Sequence, residues 1–465
     1  MLTLRDVIRG TRGQLVSGYP ATECGRVSID TRTLQRGDVF FALQGPHHDG
    51  HHYLNQAAEK GASALVVHRL DPNLQFDHRP MPDLVLVSDT LVALQSAAKT
   101  ARAAAGKTRV IGLTGSNGKT TTKEMLAGIL RLAGKTLATR GNLNNHIGLP
   151  LVLTELTPEH QFAVVEMGTS MKGDMDVLVG ITQPEVGLIT NVGMDHLEYL
   201  KTPEGVLAEN RKLFDALPKD GIAVVNLEDP LLRGLVGHLH CKIMTYGRTS
   251  DATVRVAEIL PLLDSIRFKL FLGQEECVVT LNGVGEVQVW NAMAAAATAL
   301  ALDIPSRMIV KGLEAFKPVR MRMEVLRRAD GTILVNDAYN ANPSSMRASI
   351  ESICRSYPQQ SRWLVLGDMR ELGSISQREH ESLGRWIAGQ SVDHVFLYGR
   401  DTRFVLRGIS AENPKQIVER YRKKRQLVDA LNQRLREGIR PVILFKASRS
   451  IKLEQVSHAL LSSPS

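Results

Sequence analysis

Between residues 107 and 317, five short apolar, β-branched runs, RVIGLT, KTLATR, FAVVEMG, EVGLITNV and GIAVVN, are each followed within a few residues by a helix-length segment. Strands apolar on both faces, with a helix's worth of chain before the next one, are what a parallel sheet covered on both sides requires. The rhythm restarts near FKPVRMRMEV (316–325) and continues through TILVNDA, RWLVLGD, HVFLYG and PVILFKAS. Ahead of residue 105 the strand-like pieces GDVFFAL, ASALVVH and DLVLVS are separated by Gly, Pro and Asp turns. An alanine-rich helix, TLVALQSAAKTARAAAG, closes that region, and Gly106 with Lys107 marks a hinge. A chain of 465 residues is too long for one ordinary core. The expectation is an α/β protein of three domains, 1–105, 106–317 and 318–465. The central one is built on a parallel sheet, and the last is a smaller, Rossmann-like unit.

The first central run continues into VIGLTGSNGKTTTKEML (110–126), where a strand breaks into Gly115, Ser116, Asn117 and Gly118 before a helical pattern begins. Glycines let the backbone wrap so that its N–H groups converge, and the helix N-terminus adds positive potential. Lys119 can then reach β- and γ-phosphates, and Thr120 can offer a hydroxyl to Mg²⁺. The strict P-loop pattern has glycine five residues before Gly118, where this chain has Leu113, so the loop is a variant. Ligands of open parallel sheets sit beyond the carboxyl ends of strands. There FAVVEMG delivers Glu166 and GLITNVGMDH delivers Asp195 and His196, groups able to hold Mg²⁺ directly or through water and to orient a transferring phosphate. The asparagines of RGNLNNHIGLP suit either loop capping or an uncharged clamp on a phosphosugar.

Lys and Arg number 57 against 48 Asp and Glu, a formal charge of +9, which favours polyanionic partners such as nucleotides. The dense basic stretch RYRKKRQ (420–426) reads as one face of a surface helix rather than a nucleic-acid patch. The four cysteines, Cys24, Cys241, Cys277 and Cys354, lie far apart without a C-x-x-C, so neither a disulfide framework nor a zinc site is expected. Charges at Arg5 and Asp6 interrupt any apolar leader, and no run approaches 18 apolar residues. A protein of the reducing cytoplasm, with no membrane insertion, is expected.

TGSNGKTTTKEM, GNLNNHIGLP, VEMGTSMKGDM, TNVGMDH, NDAYNANPSSMRAS, LGDMRELG and FKASR together resemble the Mur ligases, and VSIDTRTLQRGDVFFALQGPHHDGHHYL (27–54) is similar to that family's UDP-binding start. The resemblance covers all three domains in order. YNANP with LGDMRELG points to the members that add D-alanyl-D-alanine to a UDP-N-acetylmuramoyl tripeptide. It implies that ATP phosphorylates the tripeptide's terminal carboxylate and that the dipeptide amine captures the acyl phosphate, a cytoplasmic step of peptidoglycan precursor synthesis. It implies two small-molecule substrates with ATP and Mg²⁺ as cofactors, and a monomeric enzyme without a nucleic-acid partner is expected beside it.

Carried over by position, the resemblance puts Gly115, Ser116, Asn117, Gly118, Lys119, Thr120 and Thr121 on ATP, with Thr120 and Glu166 on one Mg²⁺ and His196 on a second. Lys119, Glu166 and His196 form the catalytic set. Ser28, Thr31, Arg32, Asp49 and Gly50 match the uridine-nucleotide end, and Asn142, Asn144 and Asn145 face substrate and phosphate. Asn291 is an adenosine contact, although the family's preceding His is Trp290 here. Arg322, Asp337, Tyr339 and Asn340 close on ATP from the third domain. Asp368, Met369, Glu371 and Leu372 lie near the peptide or dipeptide, with Lys446 and Ser448 in the same cleft. A further departure falls in TPEGVLAENRKLFDAL (202–217), where the family carries a lysine carbamoylated to bridge two Mg²⁺ ions. That position is Asn210, and Lys212 lies about 200° further around a helix. A folylpolyglutamate-type synthase is the rival within the superfamily, and a P-loop ATPase acting on nucleic acid is the rival outside it.

Overall fold

The computed structural model describes residues 3–70 and 81–463, and every apolar run named above becomes a strand in it. The first sheet holds β1 (Gln14–Ser17), β2 (Val27–Ser28), β3 (Val39–Phe41), β4 (Ala64–Val67) and β5 (Asp83–Leu86) in the order β1-β5-β4-β3-β2, parallel except for β1. The second holds β6 (Arg109–Thr114), β7 (Thr136–Ala138), β8 (Phe162–Glu166), β9 (Val186–Ile189), β10 (Ile222–Asn226), β11 (Lys242–Gly247), β12 (Val254–Pro261), β13 (Ser265–Leu272) and β14 (Glu275–Asn282). Its order is β14-β13-β12-β11-β10-β9-β6-β8-β7.

This central sheet corrects the expectation of a purely parallel one. β13 and β14 run antiparallel to their neighbours, and the register of β12 on β13 slips between Ala257 and Leu260. The chemistry is legible afterwards in SIRFKLFL, whose burial alternates along the strand, the mark of a sheet wetted on one face. In the parallel part both faces are covered. Ile111 and Leu113 pack with Met125, Leu126 and Ile129 of the P-loop helix, while Val110 packs with Leu213 and Phe214 on the other side. The alanine-rich helix Val287–Ala301 lies on the first of these faces.

The third sheet holds β15 (Glu324–Arg327), β16 (Ile333–Asn336), β17 (Arg362–Gly367), β18 (His394–Tyr398), β19 (Ile417–Tyr421) and β20 (Val442–Lys446), ordered β15-β16-β20-β17-β18-β19, with only β15 antiparallel. Here the basic stretch 420–426 departs from its reading as a helix face. Arg420 and Tyr421 end β19, and the helix starts only at Lys424.

The helix that leads into Gly106 and Lys107 packs against the central domain as well as its own. Ala98 and Ala105, on and just beyond the preceding helix Thr90–Ala104, are buried in the central domain's core. Arg102 of that helix donates to Thr182 O at 3.1 Å and Gln183 O at 3.3 Å. The helix belongs to both domains at once.

Candidate active site

Chain order switches beside β6. β7 and β8 lie to one side of it and β9 to the other, so the crevice that ligands use opens at the carboxyl end of β6. Three segments meet there: the loop after β6, the end of β8, and residues 190–196 after β9. Together with the third domain they enclose a cleft of about 510 Å³, of the size that holds a small-molecule ligand.

The loop after β6 takes the P-loop path because two of its positions exclude side chains. Gly115 and Gly118 have φ of +129° and +82°. A Cβ would lie 2.2 Å from Thr190 Oγ1 at the first and 2.2 Å from Asn291 Oδ1 at the second. The loop is bound to the segment after β9. Ser116 N donates to Asn191 O and Asn117 N to Asn191 Oδ1, both at 3.0 Å, and Thr190 Oγ1 donates to Asn117 O at 2.7 Å. Ser116 Oγ accepts from Gly193 N at 2.7 Å and donates to Asp195. Lys119, the first residue of the following helix, folds back so that its ammonium caps the carbonyls of Gly115 and Ser116.

Glu166 ends β8 and is 2% exposed. Its Oε1 accepts from Asn144 Nδ2 at 2.9 Å and Thr120 Oγ1 at 3.3 Å, while Oε2 is buried with no protein partner. A buried carboxylate oxygen left bare beside a hydroxyl and a phosphate loop has the donor chemistry of a Mg²⁺ site. Among the described residues no cluster of three or more His, Cys, Asp or Glu gathers to hold a metal unaided. An ion here would take its remaining ligands from phosphate oxygens and water.

His196 also lines the cleft, in a left-handed conformation with φ +52°. Its Nδ1 lies 2.6 Å from Glu371 Oε2 of the third domain, an ion-pair distance without hydrogen-bond alignment. His196 beside it holds the Glu371 carboxyl below the usual glutamate range, against the effect of burial.

From the third domain, the Arg322 guanidinium stacks 4.0 Å over the Tyr339 ring. Lys446 Nζ donates to Asp337 Oδ2 at 2.5 Å and Asn340 O at 3.2 Å. Burial pushes the Lys446 ammonium below the ordinary lysine range despite the opposing pull of Asp337. Arg322, Asp337, Tyr339, Asn340 and Lys446 therefore share the cleft with Ser116, Asn117, Gly118, Lys119, Thr121, Asn144, Asn145, Glu166 and Asn291.

Other expected residues lie elsewhere. Asp368 is fully buried and accepts the N–H groups of Arg400, Asp401 and Thr402, which ties down the start of the helix Thr402–Glu412. Met369 and Leu372 are in the third domain's apolar core, while Glu371 reaches His196 of the central domain. Ser448 Oγ bridges Ala341 O and Arg370 N behind the cleft. Asn142 is exposed, whereas Asn145 stays at the cleft and also accepts Gly148 N at 2.8 Å at the start of the helix Gly148–Leu153.

The first-domain set gathers separately at the carboxyl side of its sheet. Ser28 ends β2, and Thr31 Oγ1 donates to Gln56 at 2.6 Å. Arg32 pairs with Asp30 at 2.6 Å, and Asp49 binds His51 and Arg69 just ahead of Gly50. Burial alone would raise the Asp49 carboxyl, but the bonds from Arg69 and His51 outweigh it and hold it far below the usual range.

Asn210, on the helix Pro203–Asp215, is buried, and its Oδ1 accepts from Thr114 Oγ1 at 3.3 Å and Thr169 Oγ1 at 3.4 Å. Lys212 points away to Asp176 at 2.6 Å and Glu209 at 2.8 Å. The lysines that line the cleft, among the described residues, are Lys119 and Lys446. Sequence reasoning passed over Asn191, Asn342 and Ser344, which line the cleft, and the stacking of Arg248 at 4.9 Å on Trp290, which lines it too. Asn191 and Asn342 stood inside motifs already quoted, but their type is common in loops and gave no separate signal.

Profiles of three families match in chain order: the "Mur ligase family, catalytic domain" at residues 24–106, the "Mur ligase middle domain" at 113–299 and the "Mur ligase, glutamate ligase domain" at 321–449. A UDP-N-acetylmuramoyl-tripeptide--D-alanyl-D-alanine ligase of Bacillus subtilis is 35% identical over 463 residues, 99% of each chain. Among solved structures, MurF from Acinetobacter baumannii superposes with TM-score 0.89 at 33% identity over 99% of both chains. MurF from Thermotoga maritima in complex with ADP gives 0.81 at 28% identity over 94% of this chain and 97% of that one.

Proposed function

The chain belongs to the Mur ligase family, and from that premise we propose that its cleft carries out the ATP-dependent ligation of D-alanyl-D-alanine to UDP-N-acetylmuramoyl-tripeptide, a step of peptidoglycan precursor synthesis. The observation that carries the reading is the full-length likeness to ligases of that name, joined to a cleft in which phosphate loop, bare carboxylate and third-domain cations converge. ATP binding has further support in the likeness to a structure that holds ADP. The folylpolyglutamate-type and nucleic-acid alternatives have no comparable full-length support.

A carboxylate is a poor acyl donor and phosphate a good leaving group, so activation precedes amide formation. The tripeptide carboxylate oxygen bonds to the γ-phosphorus as ADP leaves. The dipeptide amine then adds to the acyl carbon, loses its proton and expels phosphate. Lys119 would leave the loop carbonyls and meet the β- and γ-phosphates, with the loop N–H groups around them. Glu166 and Thr120 would hold Mg²⁺, which supplies charge neutralisation across the phosphates when bound. Arg322 and Lys446 bring positive charge from the opposite wall, where charge accumulates on the transferring group. Asp337 keeps Lys446 aimed. The first-domain group around Ser28, Thr31, Arg32, Asp49 and Gly50 would hold the uridine diphosphate end, away from the chemistry.

Among the described residues no helix is long and apolar enough to cross a membrane. Nucleotide substrates and free cysteines support the cytoplasm as the working place, and the monomer expected from the sequence is kept as part of the reading. The test is phosphate release across a matrix of UDP-muramoyl peptides and acceptor dipeptides. Release should require both a tripeptide and D-alanyl-D-alanine. Turnover indifferent to the dipeptide, or stimulated by nucleic acid, would sink the reading.

A further inference from the structure

We infer that Asn117 is a positioning residue whose side chain serves the third domain, seating the helix Pro343–Ser356 on the P-loop and thereby placing Asp337 and Lys446 over the phosphate site. The inference rests on the ligase reading and adds to it a specific link between the domains.

The main chain of Asn117 is already held by its own domain, through Asn191 and Thr190. Its side chain turns the other way. Asn117 Nδ2 donates to Ser344 Oγ at 3.1 Å, Ser344 Oγ donates to Asn342 Oδ1 at 2.9 Å, and Asn342 Nδ2 donates to Asn117 Oδ1 at 3.0 Å. The three side chains close a ring in which each both gives and takes a proton. Such rings polarise their members in one sense and fix the orientation of both amides. Their members lie 225 and 227 residues apart in sequence, so the ring ties the two domains together at the nucleotide loop itself.

Asn342 is at the same time the N-cap of the helix, accepting Ser345 N at 2.8 Å, with the Ser345 hydroxyl accepting Asn342 N at 3.0 Å. The ring therefore fixes the end of a rigid element rather than a free loop. Two turns along, Ser349 Oγ donates to Asp337 Oδ2 at 2.6 Å, and the same carboxylate holds Lys446. Asp337 Oδ1 also accepts Met323 N at 3.2 Å, from the segment where the chain enters the third domain. A continuous set of hydrogen bonds thus runs from the P-loop to the cation opposite it. Breaking the ring leaves every one of those groups present but lets the helix shift.

Ser344→Ala removes the one ring member that is neither the N-cap residue nor part of the P-loop, leaving the Asn342–Ser345 capping bonds and the P-loop residues in place. ATP affinity, read by equilibrium dialysis with the labelled nucleotide, should stay within about twofold, while kcat falls about tenfold, the worth of one hydrogen bond formed in the closed arrangement. Ser344→Thr, which keeps the hydroxyl, should recover most of the rate. Asn117→Ala should lose a similar factor, and Asn117→Ala/Ser344→Ala no more than the larger single loss, because a ring opened once is already open. Solution scattering of the ligand-free Ser344→Ala protein should show a larger radius of gyration than the wild type. Additive losses, or full kcat with unchanged scattering in Ser344→Ala, would overturn the inference. If the wild type ligates no dipeptide, the functional reading fails by itself, and the scattering comparison still decides the link.

Discussion

The two seams of the molecule are built from different chemistry. Where the first domain meets the second, the helix Thr90–Ala104 is shared: Ala98 lies in the central core, Leu151 packs back against the first domain's core, and Arg102 is buried on carbonyls. Gln95 Nε2 adds a bond to His146 O at 3.1 Å. Where the second domain meets the third, two small apolar contacts, at Val284 and Val287 and at Ile375 against Leu197, Leu200 and Val206, are joined by polar links: the Asn117 ring, Arg355 to Glu286 at 2.6 Å, Arg327 to Asp264 at 2.5 Å, and His196 beside Glu371. The connecting chain there holds Met321 and Met323 at φ +57° and +53°. Two non-glycine residues in left-handed conformation cost on the order of 1 kcal/mol or more each, and such positions are where hinges take up a change of angle. An apolar seam has no cheap intermediate state, whereas a polar one exchanges protein bonds for water bonds. The uridine site should therefore ride rigidly on the ATP domain, and the third domain should move.

The largest expected effect lies on neither seam. Lys119→Ala should cut ligation by about 10²-fold or more, since the ammonium acts on phosphate charge in the transition state. Both seams should survive it, with melting temperature and scattering unchanged. A folded variant with near-normal turnover would remove the P-loop from the mechanism, and one that opened would mean that Lys119 supports the seams as well.

Next in size is Ala98→Asp, which puts an unpaired carboxylate into the first seam. The expected loss is about 2–4 kcal/mol of unfolding free energy, read from denaturant midpoints. A loss below about 0.5 kcal/mol, the size of an ordinary surface substitution, would show that the helix is held loosely and that the contrast between seams is false.

Much of this was legible in the sequence because the signals were local. RVIGLT followed by GSNGKT could be read as strand, phosphate turn and helix, and the structure forms them at Arg109–Thr114 and Lys119–Ala133. The end of FAVVEMG put Glu166 beside that turn for the same reason, since parallel strands end together. What was not legible depended on partners distant in the chain. Asp368 looked like a site residue by its motif, and only the fold shows it spent on the N–H groups of residues 400–402. The composition around Gly106 likewise did not show that the helix before it divides its alanines, Ala93 and Ala97 to the first domain's core and Ala98 to the second's. The antiparallel pair β13–β14 was hidden by an expectation of βαβ repetition, although its alternating burial is an ordinary strand pattern.

A smaller effect concerns the buried Asn210 of the helix Pro203–Asp215. With Asn210 held by the Thr114 and Thr169 hydroxyls, a neutral amide stands where a carbamate would carry charge. The wild-type rate should not respond to bicarbonate after CO₂ is stripped, and it should need more Mg²⁺ to saturate than an Asn210→Lys variant that accepts a carbamate. Clear stimulation of the wild type by bicarbonate would mean that another lysine carries the group.

The smallest effect in stability should be the most telling about motion. Arg355→Ala and Arg327→Ala each remove one ion pair from the rim of the second seam, with the arginine side chains 63% and 42% exposed. Exposed pairs of this kind contribute about 0–1 kcal/mol, so neither variant should shift the unfolding midpoint much. A rim pair does, however, act only when the third domain is seated, so its whole contribution falls on the open-to-closed equilibrium rather than on the fold. The double variant should give a ligand-free scattering profile displaced toward larger dimensions, and added salt should move the wild type in the same direction because exposed charges are screened. ATP with the UDP-muramoyl tripeptide should restore the compact profile in both, since the cleft groups remain. The corresponding disturbance of the first seam by Glu185→Gln, which removes the partner of Arg102 and Arg109, should leave scattering unaltered at every salt concentration. If that variant opens the molecule as far as the rim variants do, the two seams do not differ in kind.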